Sequence, residues 1–506
     1  MIVNSFNTEF GYELIATLPF AYWHHLNRTL TRTSSGQGSA PYYFFSPDHR
    51  IDPSPRDFAH TNDAAKVIPN MWIHRSELDT SRWAPPPLAA HYAPRAIRFA
   101  KPTVVIYNRY NKEWGLPPIN YFDLPVLRTL FKMLLPKYDV VYFNVRGEEG
   151  LEDNAHSMDL GDYAMIRREF PQVHIVHDLI RSCNEDYNTV QLRVFAGCRK
   201  FITMNGAPCI LASYFGGENI IYTKRCREVM NTTGSFHGWY HLFNPKDPSH
   251  IRLVRSYEDL IAKVKAAWVD ELPLLTILLR SHNRPKGFAR ALQSIENGCW
   301  PNVRVIASYD NEDTLSYLTR FPVTRLRMNP HLAHRPAPAS KDYARWFPPN
   351  TYFNSMASLV KDGYIAYLDD DDVYEEGALK VIMDNVAPGA LLLWKCRLRD
   401  GRDIPEAPYF GREEAGGGHG SRLHPSLNGQ ISGICMAYPA SAFNRSPWEP
   451  WRRGDFRVMR NLSNTLCIKW LDNVLSRHAE RIDTTLGKVR TAIGSGHRRD
   501  RRFRGR

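Results

Sequence analysis

The sequence predicts an α/β protein with more than one domain. Short apolar runs typical of buried strands alternate with amphipathic segments in both halves of the chain. The 506 residues are also more than one ordinary hydrophobic core organises. We therefore expect an α/β region at 1–265, a second α/β domain at 266–487 and a basic, disordered tail at 488–506.

Composition narrows the class of protein. A hydrophobic content of 43% and an aromatic content of 12% indicate a globular chain and exclude a disordered one. The eight cysteines form no Cys-x-x-Cys pair, which favours reduced thiols in a cytosol-like compartment. No secretory signal is recognisable at the amino terminus, and no apolar run has the length of a membrane span. We expect a soluble, cytoplasmic protein, with peripheral contact to a membrane left open.

The net charge of +13 is concentrated at one end of the chain. Residues 496–506 contain six arginines and one aspartate, which leaves a mild excess of +8 elsewhere. Such a tail can bind nucleic acid or anionic lipid weakly and without sequence preference. We therefore expect no specific nucleic-acid partner.

The first elements alternate strand, loop and helix. We predict a strand at 2–6, a helix at 13–25, a flexible loop at 31–40 and a strand at 42–45. The proline-rich segment 79–102 reads as a linker or a wrapping segment.

A second series of strands and helices follows and predicts a parallel sheet. The strands are predicted at 103–107, 140–144, 174–176 and 201–204, and the helices at 124–135 and 190–196. Ligands of such sheets lie beyond the carboxyl ends of the strands. The candidate residues at those ends are Arg109, Arg146, Asp178 and Gly206. A turn residue or a surface salt bridge explains each of them equally well.

The carboxyl half starts with a predicted helix at 256–269 and a buried strand at 274–279. Further strands are predicted at 303–307, 323–328 and 364–368, with a helix at 352–360 before the last of them. That last strand runs directly into Asp369, Asp370, Asp371 and Asp372. Four adjacent charges at the end of a buried strand are costly unless they are paired, and a divalent cation would relieve them. An acidic surface turn is the alternative.

Four motifs in this half resemble those of a known family. They are Ser281-His282-Asn283-Arg284-Pro285, Ala291-Leu292-Gln293-Ser294-Ile295, Tyr309-Asp310-Asn311-Glu312-Asp313 and the stretch from Asp362 to Asp372. In this order they resemble a family 2 glycosyltransferase of GT-A fold, with a Rossmann-like mixed sheet, over roughly residues 272–485. The element order of residues 1–245 resembles, more weakly, a GT-B enzyme with two Rossmann-like lobes.

The resemblance implies a donor site for a nucleotide-diphosphate sugar. It implies that Asp369 and Asp371 contact the ribose and a Mn²⁺ or Mg²⁺ ion, with Asp370 and Asp372 in support. Asp310 would lie against the nucleoside base. Ser281 and Arg284 also match nucleotide-binding positions, although Arg284 could equally be a structural bridge.

Two further residues follow from the resemblance. Asp455 matches the final aspartate of a turn that supplies the catalytic base, although arginine and glycine precede it here instead of glutamate. A helix N-cap is the alternative role for Asp455. His478, in the pair Arg477-His478, would approach the diphosphate or the metal.

The implied function is transfer of a sugar to a hydroxyl acceptor such as a glycan, with inversion. Residues 1–265 would hold a second transferase or a non-catalytic binding module. A nucleotidyltransferase would use the same aspartates and metal, but residues 281–287 lack the glycine-rich, arginine-containing loop of such enzymes.

Overall fold

The structure is a computed structural model of the 506-residue chain. It describes residues 1–56, 60–71, 78–112, 117–144, 156–224, 236–318, 320–321, 323–328, 350–406, 410–411, 422–423, 427–428, 430–445, 447–449 and 454–480. The chain forms two compact units: the first is Met1–Leu272 with Leu315–Arg325, and the second is Pro273–Thr314 with Leu326–Arg506. The predicted tail at 488–506 and the candidate Arg146 lie outside the described residues.

The first unit opens with a small sheet of three parallel strands: β1 (Ile2–Asn4), β2 (Arg32–Gly36) and β3 (His49–Asp52). Two predictions are wrong here. The segment expected to be a flexible loop contains β2, because Thr33 and Ser35 turn inward and bond the ring of His49. The strand expected at 42–45 is instead the 3-10 turn Ala40–Tyr43.

The larger sheet of the first unit confirms the predicted parallel series. Its six strands are β4 (Thr103–Asn108), β6 (Asp139–Asn144), β8 (His174–Ile175), β9 (Lys200–Met204), β10 (Glu218–Tyr222) and β11 (His250–Val254). They run in the order β11-β10-β9-β4-β6-β8, and all neighbouring strands are parallel. Side chains alternate between two cores: Val105 packs on one face, whereas Val104 and Ile106 pack on the other. Two further strands of this unit, β5 (Asn111–Lys112) and β7 (His156–Ser157), form a separate antiparallel pair.

The helices of this unit cover the sheet faces. The principal ones are Leu18–Leu26, Leu88–Tyr92, Leu124–Leu134, Asp162–Glu169, Val176–Cys183, Tyr187–Ala196, Ala207–Ser213 and Tyr257–Val264. Short helices stand at Phe10–Tyr12 and Thr61–Ala65, π-helical turns at Glu13–Thr17 and Lys265–Val269, and 3-10 turns at Ala93–Arg95 and Phe236–Leu242. Side-chain caps explain several starts: Asp123 accepts a hydrogen bond from Val126, and Ser256 accepts one from Asp259.

The proline-rich segment 79–102 packs against the core of the first unit, which agrees with the predicted wrapping role. Trp83 is buried and donates its indole N–H to the carbonyl of Ile15 at 2.8 Å. Leu88 and Tyr92 are buried in the same core. The segment is therefore held by apolar packing and by hydrogen bonds to the backbone.

The second unit contains a mixed sheet, consistent with the predicted α/β class. Its strands are β12 (Leu275–Arg280), β13 (Val303–Tyr309), β14 (Thr324–Arg327), β15 (Tyr364–Asp369), β16 (Asp372–Tyr374), β17 (Ala390–Arg397), β18 (Asp403–Ile404), β21 (Met436–Pro439) and β22 (Cys467–His478). They run in the order β14-β13-β12-β15-β21-β17-β22-β16, with β18 paired to β17. β12 lies parallel to both β13 and β15, whereas β21 is antiparallel to β15 and to β17. Two further strands, β19 (Phe410–Gly411) and β20 (Arg422–Leu423), form a separate antiparallel pair.

The helices of the second unit connect these strands. They are Pro285–Glu296, Ala378–Asn385 and Gly454–Leu462, with Glu312–Leu318 at the boundary of the two units. Residues 350–357 are also helical, and 3-10 turns stand at Gly433–Cys435 and Ala440–Arg445. In the described part of the chain, no helix has both the length and the apolar character needed to cross a membrane.

Candidate active site

The site lies at the carboxyl ends of the parallel strands of the second unit. Arg280, the last residue of β12, is in register with Ser308 on β13 and with Asp369 on β15. Because these strands are parallel and aligned, the loops that follow them meet at one edge of the sheet. Residues 281–284, 310–311 and 370–372 are therefore brought together, as the sequence predicted.

Asp369 forms a two-pronged ion pair with Arg280. The Nε and Nη2 atoms of Arg280 lie 2.7 Å from the two carboxylate oxygens of Asp369. The guanidinium also stacks on Phe353, 4.0 Å from the ring centroid. The pair orients one oxygen edge of Asp369, whose side chain is still 30% exposed.

Asp370 is the buried member of the run. It accepts hydrogen bonds from the Ser281 hydroxyl at 2.9 Å, the His282 amide at 3.0 Å and Arg284 Nη1 at 2.8 Å. Burial raises the pKa of this carboxyl to about 6, although these donors and the Arg284 charge act in the opposite direction. Ser281 and Arg284 thus hold the loop after β12 against the loop after β15.

Asp371 faces two arginines. Its Oδ2 atom lies 3.2 Å from Arg284 Nη1 and 3.2 Å from Arg399 Nη2. Its backbone carbonyl accepts a hydrogen bond from the Ala479 amide at 3.1 Å. The Asp371 side chain therefore sits between a guanidinium on the Arg284 side and one on the Arg399 side.

Asp372 forms a buried pair with His478. The two residues are register partners in β16 and β22, and the ring Nδ1 lies 2.6 Å from the carboxylate Oδ1. Asp372 is 3% exposed. The hydrogen bond to Asp372 raises the pKa of His478, and a hydrogen bond to the Cys396 thiol adds to this effect. The ring is thus part of a structural ion pair, and its role at a metal stays a prediction.

The four carboxylates also have basic partners from distant elements. Three arginines (Arg280, Arg284 and Arg399) and one histidine (His478) contact them in the described structure. Such pairing offsets part of the cost of gathering like charges, and the divalent ion stays a prediction. Sequence reasoning did place Arg284 and His478 here, but it missed Arg280 and Arg399.

Asp310 directly follows the strand β13, and its carboxylate has several hydrogen-bond partners. It accepts bonds from Tyr352 at 3.0 Å and from Asn311 at 2.7 Å, and His282 Nδ1 lies 3.0 Å from its Oδ1 atom. Burial opposes its charge, but these partners outweigh burial and lower the pKa of Asp310. The same contact raises the pKa of His282, whose side chain is 61% exposed. His282 and Tyr352 were not predicted as site residues.

Asp455 lies in the first turn of the helix Gly454–Leu462. Its Oδ1 atom accepts the Phe456 amide at 2.8 Å, so the side chain caps the start of its own helix. Burial raises the pKa of Asp455, and the nearby charge of Arg280 lowers it in part. Asp455 therefore lies within electrostatic range of the Arg280–Asp369 pair. The contact to Phe456 fits the capping role, whereas the catalytic role stays a prediction.

An open pocket of about 460 Å³ adjoins the aspartates. Its lining residues are Asp369, Asp371, Asp372, Leu398, Arg399, Asp400 and His478. Among the described residues, no group of three His, Cys, Asp or Glu side chains is placed to hold a metal. Asp369 and Asp371 do fit the way Mg²⁺ is often held, by one or two carboxylates with substrate phosphates and water completing the shell.

Two of the candidates in the first unit lie close together: Arg109 Nη1 is 3.9 Å from the position that a Cβ atom would take on Gly206. β8 ends at Ile175, and Asp178 is an exposed residue in the first turn of the next helix, Val176–Cys183, 3.2 Å from Arg167 and 3.5 Å from Arg181. This corrects the predicted strand at 174–176. Arg109 and Gly206 do lie beyond the carboxyl ends of β4 and β9, and Gly206 adopts a φ of 124° before the helix Ala207–Ser213.

Comparison with known proteins adds a weak structural likeness. No family model matches the sequence. No curated protein matches it either. Crystal structures of S. aureus TarS are similar: the TarS 1-349 structure shares 14% identity at a TM-score of 0.31, covering 44% of this chain and 64% of that one. A second TarS structure shares 14% identity at a TM-score of 0.30, covering 41% and 37%. This chain thus spans less than two thirds of either structure, and its function has to be argued from its own site.

Proposed function

We propose that this protein is a metal-dependent glycosyltransferase. It would transfer a sugar from a nucleotide-diphosphate donor to a hydroxyl group of a glycan or similar acceptor, with inversion at the transferred carbon. The reaction would take place in the second unit. A second transferase in the first unit, or a non-catalytic module there, is not needed for this proposal.

The observation that carries the proposal is the gathering of polar residues at one sheet edge. The aligned strands β12, β13 and β15 bring Ser281, Arg284 and Asp310 to the same sheet edge as the partly buried carboxylates of Asp369 and Asp371. The open pocket beside them has room for a bound phosphate group. Carboxylates and arginines at one site suit a diphosphate bound together with a divalent cation.

Each group has a task in this proposal. Asp369 and Asp371 would hold Mn²⁺ or Mg²⁺. The ion supplies charge stabilisation for the diphosphate that leaves. Asp310 would lie against the nucleoside, with its orientation set by Tyr352 and His282. Arg280 would keep Asp369 oriented through their two-pronged contact.

Asp455 would act as the base. An acceptor hydroxyl is a weak nucleophile, so its attack is faster when a carboxylate takes its proton. The raised pKa of the half-buried Asp455 carboxyl makes it a stronger proton acceptor once ionised. Transfer should then increase with pH as Asp455 loses its proton.

A donor screen tests the proposal. The full chain is incubated with nucleotide-diphosphate sugars, with and without Mn²⁺, and the products are separated. Free nucleoside diphosphate that forms only with the metal would support sugar transfer. A parallel incubation with nucleoside triphosphates and sugar phosphates that releases pyrophosphate would instead identify a nucleotidyltransferase, and no product in either incubation would contradict both.

The base is tested by Asp455→Asn. We expect transfer to fall by roughly 100-fold or more, since general-base catalysis contributes about 10²–10⁴-fold. Binding of the donor should be unchanged in titration calorimetry, because Asp455 is assigned to the acceptor. Full turnover by the variant would leave Asp455 as a helix cap only.

A further inference from the structure

One arginine of the site comes from a hairpin that no motif marks. Residues 398–402 connect β17 to β18, and the turn is closed by the Leu398 amide on the Arg402 carbonyl at 2.7 Å. The two other arginines at this turn have partners within the hairpin. Arg397 bonds Asp403 at 2.9 Å, and Arg402 bonds Asp400 at 2.8 Å. Arg399 instead reaches out of the hairpin.

Arg399 lies beside the predicted metal ligand. Its Nη2 atom is 3.2 Å from Asp371 Oδ2, and its Nε atom donates to the Ala479 carbonyl at 2.7 Å. Both Arg399 and Asp371 line the open pocket. The bond from Nε to the backbone fixes the place of the guanidinium while its Nη2 group faces Asp371.

The contact between Arg399 and Asp371 is more easily exchanged than the others at this site. The Arg399 side chain is 42% exposed, and Asp371 is 16% exposed. Arg284 also touches Asp371, but it is held at 2.8 Å by Asp370, which is only 5% exposed. Breaking the contact between Arg284 and Asp370 would leave a buried carboxylate without its cationic partner, which is costly. The partner of Arg399 is the less buried Asp371, so this contact can be exchanged at a lower cost.

A divalent cation on Asp371 would change the partner of Arg399. A cation held by the Asp371 carboxylate would repel a guanidinium beside the same oxygen. A diphosphate bound to that cation offers anionic oxygens that suit the planar fork of an arginine. The guanidinium can therefore leave Asp371 and gain a phosphate without moving its hairpin.

We propose that Arg399 exchanges partners in this way: it neutralises Asp371 when no donor is bound, and it binds the diphosphate of the donor once a divalent cation occupies Asp371. This inference rests on the proposed function and adds a donor-binding residue to it. Arg399 would therefore weaken the binding of the metal alone and strengthen the binding of the nucleoside diphosphate in the presence of the metal.

Two binding titrations on the full chain separate these effects. In the first, Mn²⁺ alone is titrated into the protein. In the second, UDP, GDP and CDP are titrated at saturating Mn²⁺, and the diphosphate that the wild type binds is used for the variants. We expect Arg399→Gln to bind Mn²⁺ alone roughly 3- to 10-fold more tightly, because a competing cation is lost. The same variant should bind the nucleoside diphosphate roughly tenfold more weakly, since a charged hydrogen bond is lost.

Two further variants keep the test sharp. Arg402→Gln removes a charge from the same hairpin but from an arginine that is paired with Asp400, so both affinities should stay within about twofold of wild type. Arg399→Lys keeps the charge but loses the planar fork and the Nε anchor. It should bind Mn²⁺ alone like the wild type and bind the diphosphate more weakly.

The outcomes are distinct. Opposite shifts of the two affinities in Arg399→Gln support the exchange. Shifts in the same direction, or no shift, overturn it while leaving the proposed function in place. A wild-type chain that binds neither Mn²⁺ nor any of the three diphosphates contradicts the proposed function itself.

Discussion

Four consecutive aspartates occupy four different environments in this protein. Asp369 faces Arg280, Asp370 is buried among donors, Asp371 sits between two arginines, and Asp372 is buried against His478. Side chains that are equal in the sequence therefore differ in exposure and in partners. The two that remain available to a ligand are Asp369 and Asp371, the pair predicted to hold the metal.

At the residue scale, Asp371→Asn should abolish transfer and leave the fold intact. The variant loses a charge that would hold the metal, and its amide still fits the space. We expect turnover to fall by at least about 100-fold, since metal stabilisation of the leaving group is worth several kcal/mol. Turnover and thermal unfolding are measured side by side.

The matched control for this variant is Asp384→Asn. Asp384 is an exposed carboxylate that pairs with Lys380 one helical turn away. Its loss should leave turnover unchanged and cost little stability. Unchanged turnover in Asp371→Asn would contradict the proposed metal site.

The His478–Asp372 pair gives a prediction about pH. The contact with Asp372 raises the pKa of His478 to about 10, whereas burial raises the pKa of Asp372 to about 7. The stability that the His478 proton contributes is lost as the pH rises through the raised value, and protonation of Asp372 weakens the pair below about pH 7. His478→Gln should therefore lower the free energy of unfolding by about 3 kcal/mol at pH 7.5, and by clearly less at pH 9.5. Urea unfolding at the two pH values measures the difference.

His25→Gln is the control for the pH experiment. His25 is exposed on the helix Leu18–Leu26, far in sequence from the acidic run. Its replacement should have only a small effect on the free energy of unfolding. An effect of His478→Gln that stays constant between pH 7.5 and pH 9.5 would show that the pair is not ionic.

At the element scale, the position of β15 depends on one glycine. Gly363 directly precedes the strand and has a φ of 70°, where a side chain is strained. A Cβ atom there would lie 2.2 Å from the Leu274 carbonyl oxygen, which accepts the amide of Tyr364. The glycine therefore lets β15 approach the start of β12 closely enough for the two strands to pair in register.

Gly363→Ala should destabilise the fold by roughly 3 kcal/mol or more, from the strained φ and from the clash with backbone. Gly377→Ala is the matched control, because Gly377 also has a φ of 70° but nothing lies within 4 Å of its added Cβ. That variant should lose about 1–2 kcal/mol. Equal losses of unfolding free energy in denaturant titrations would mean that the close approach to Leu274 is unimportant.

At the scale of the whole molecule, two units carry separate sheets, and the candidate site belongs to the second. In the first unit, the exposed carboxylate of Asp178, in the first turn of the helix after β8, is paired with Arg167 and Arg181. We therefore expect a single donor site per chain. Arg109 and Gly206 are the positions at which a second one would be found.

Hydrogen exchange on the full chain tests this expectation. A nucleoside diphosphate with Mn²⁺ should protect backbone amides around 280–284, 369–374 and 398–400, because binding to the native state stabilises the elements that form the site. Amides near Arg109 and Gly206 should exchange as they do without ligand. Protection there would reveal a donor site in the first unit.

The predictable part of this protein is local. The apolar runs predicted the strands of both parallel series, and β4, β6, β9, β12, β13 and β15 appear at or close to the predicted residues. They failed where the pattern is weak, as at 31–40, where polar residues form β2 because they bond across the small sheet. Aligned parallel strands then placed Ser281, Asp310 and Asp369 at one edge, as expected from topology alone.

The sequence by itself determined that four carboxylates end a buried strand and need relief, because that follows from adjacent residues. Only the tertiary structure decided what relieves them. Arg280 lies 89 positions from Asp369, and His478 lies 106 positions from Asp372. Arg399 enters from a hairpin that carries no motif. No local pattern records such pairs, since they arise only when strands from distant parts of the chain align in one sheet.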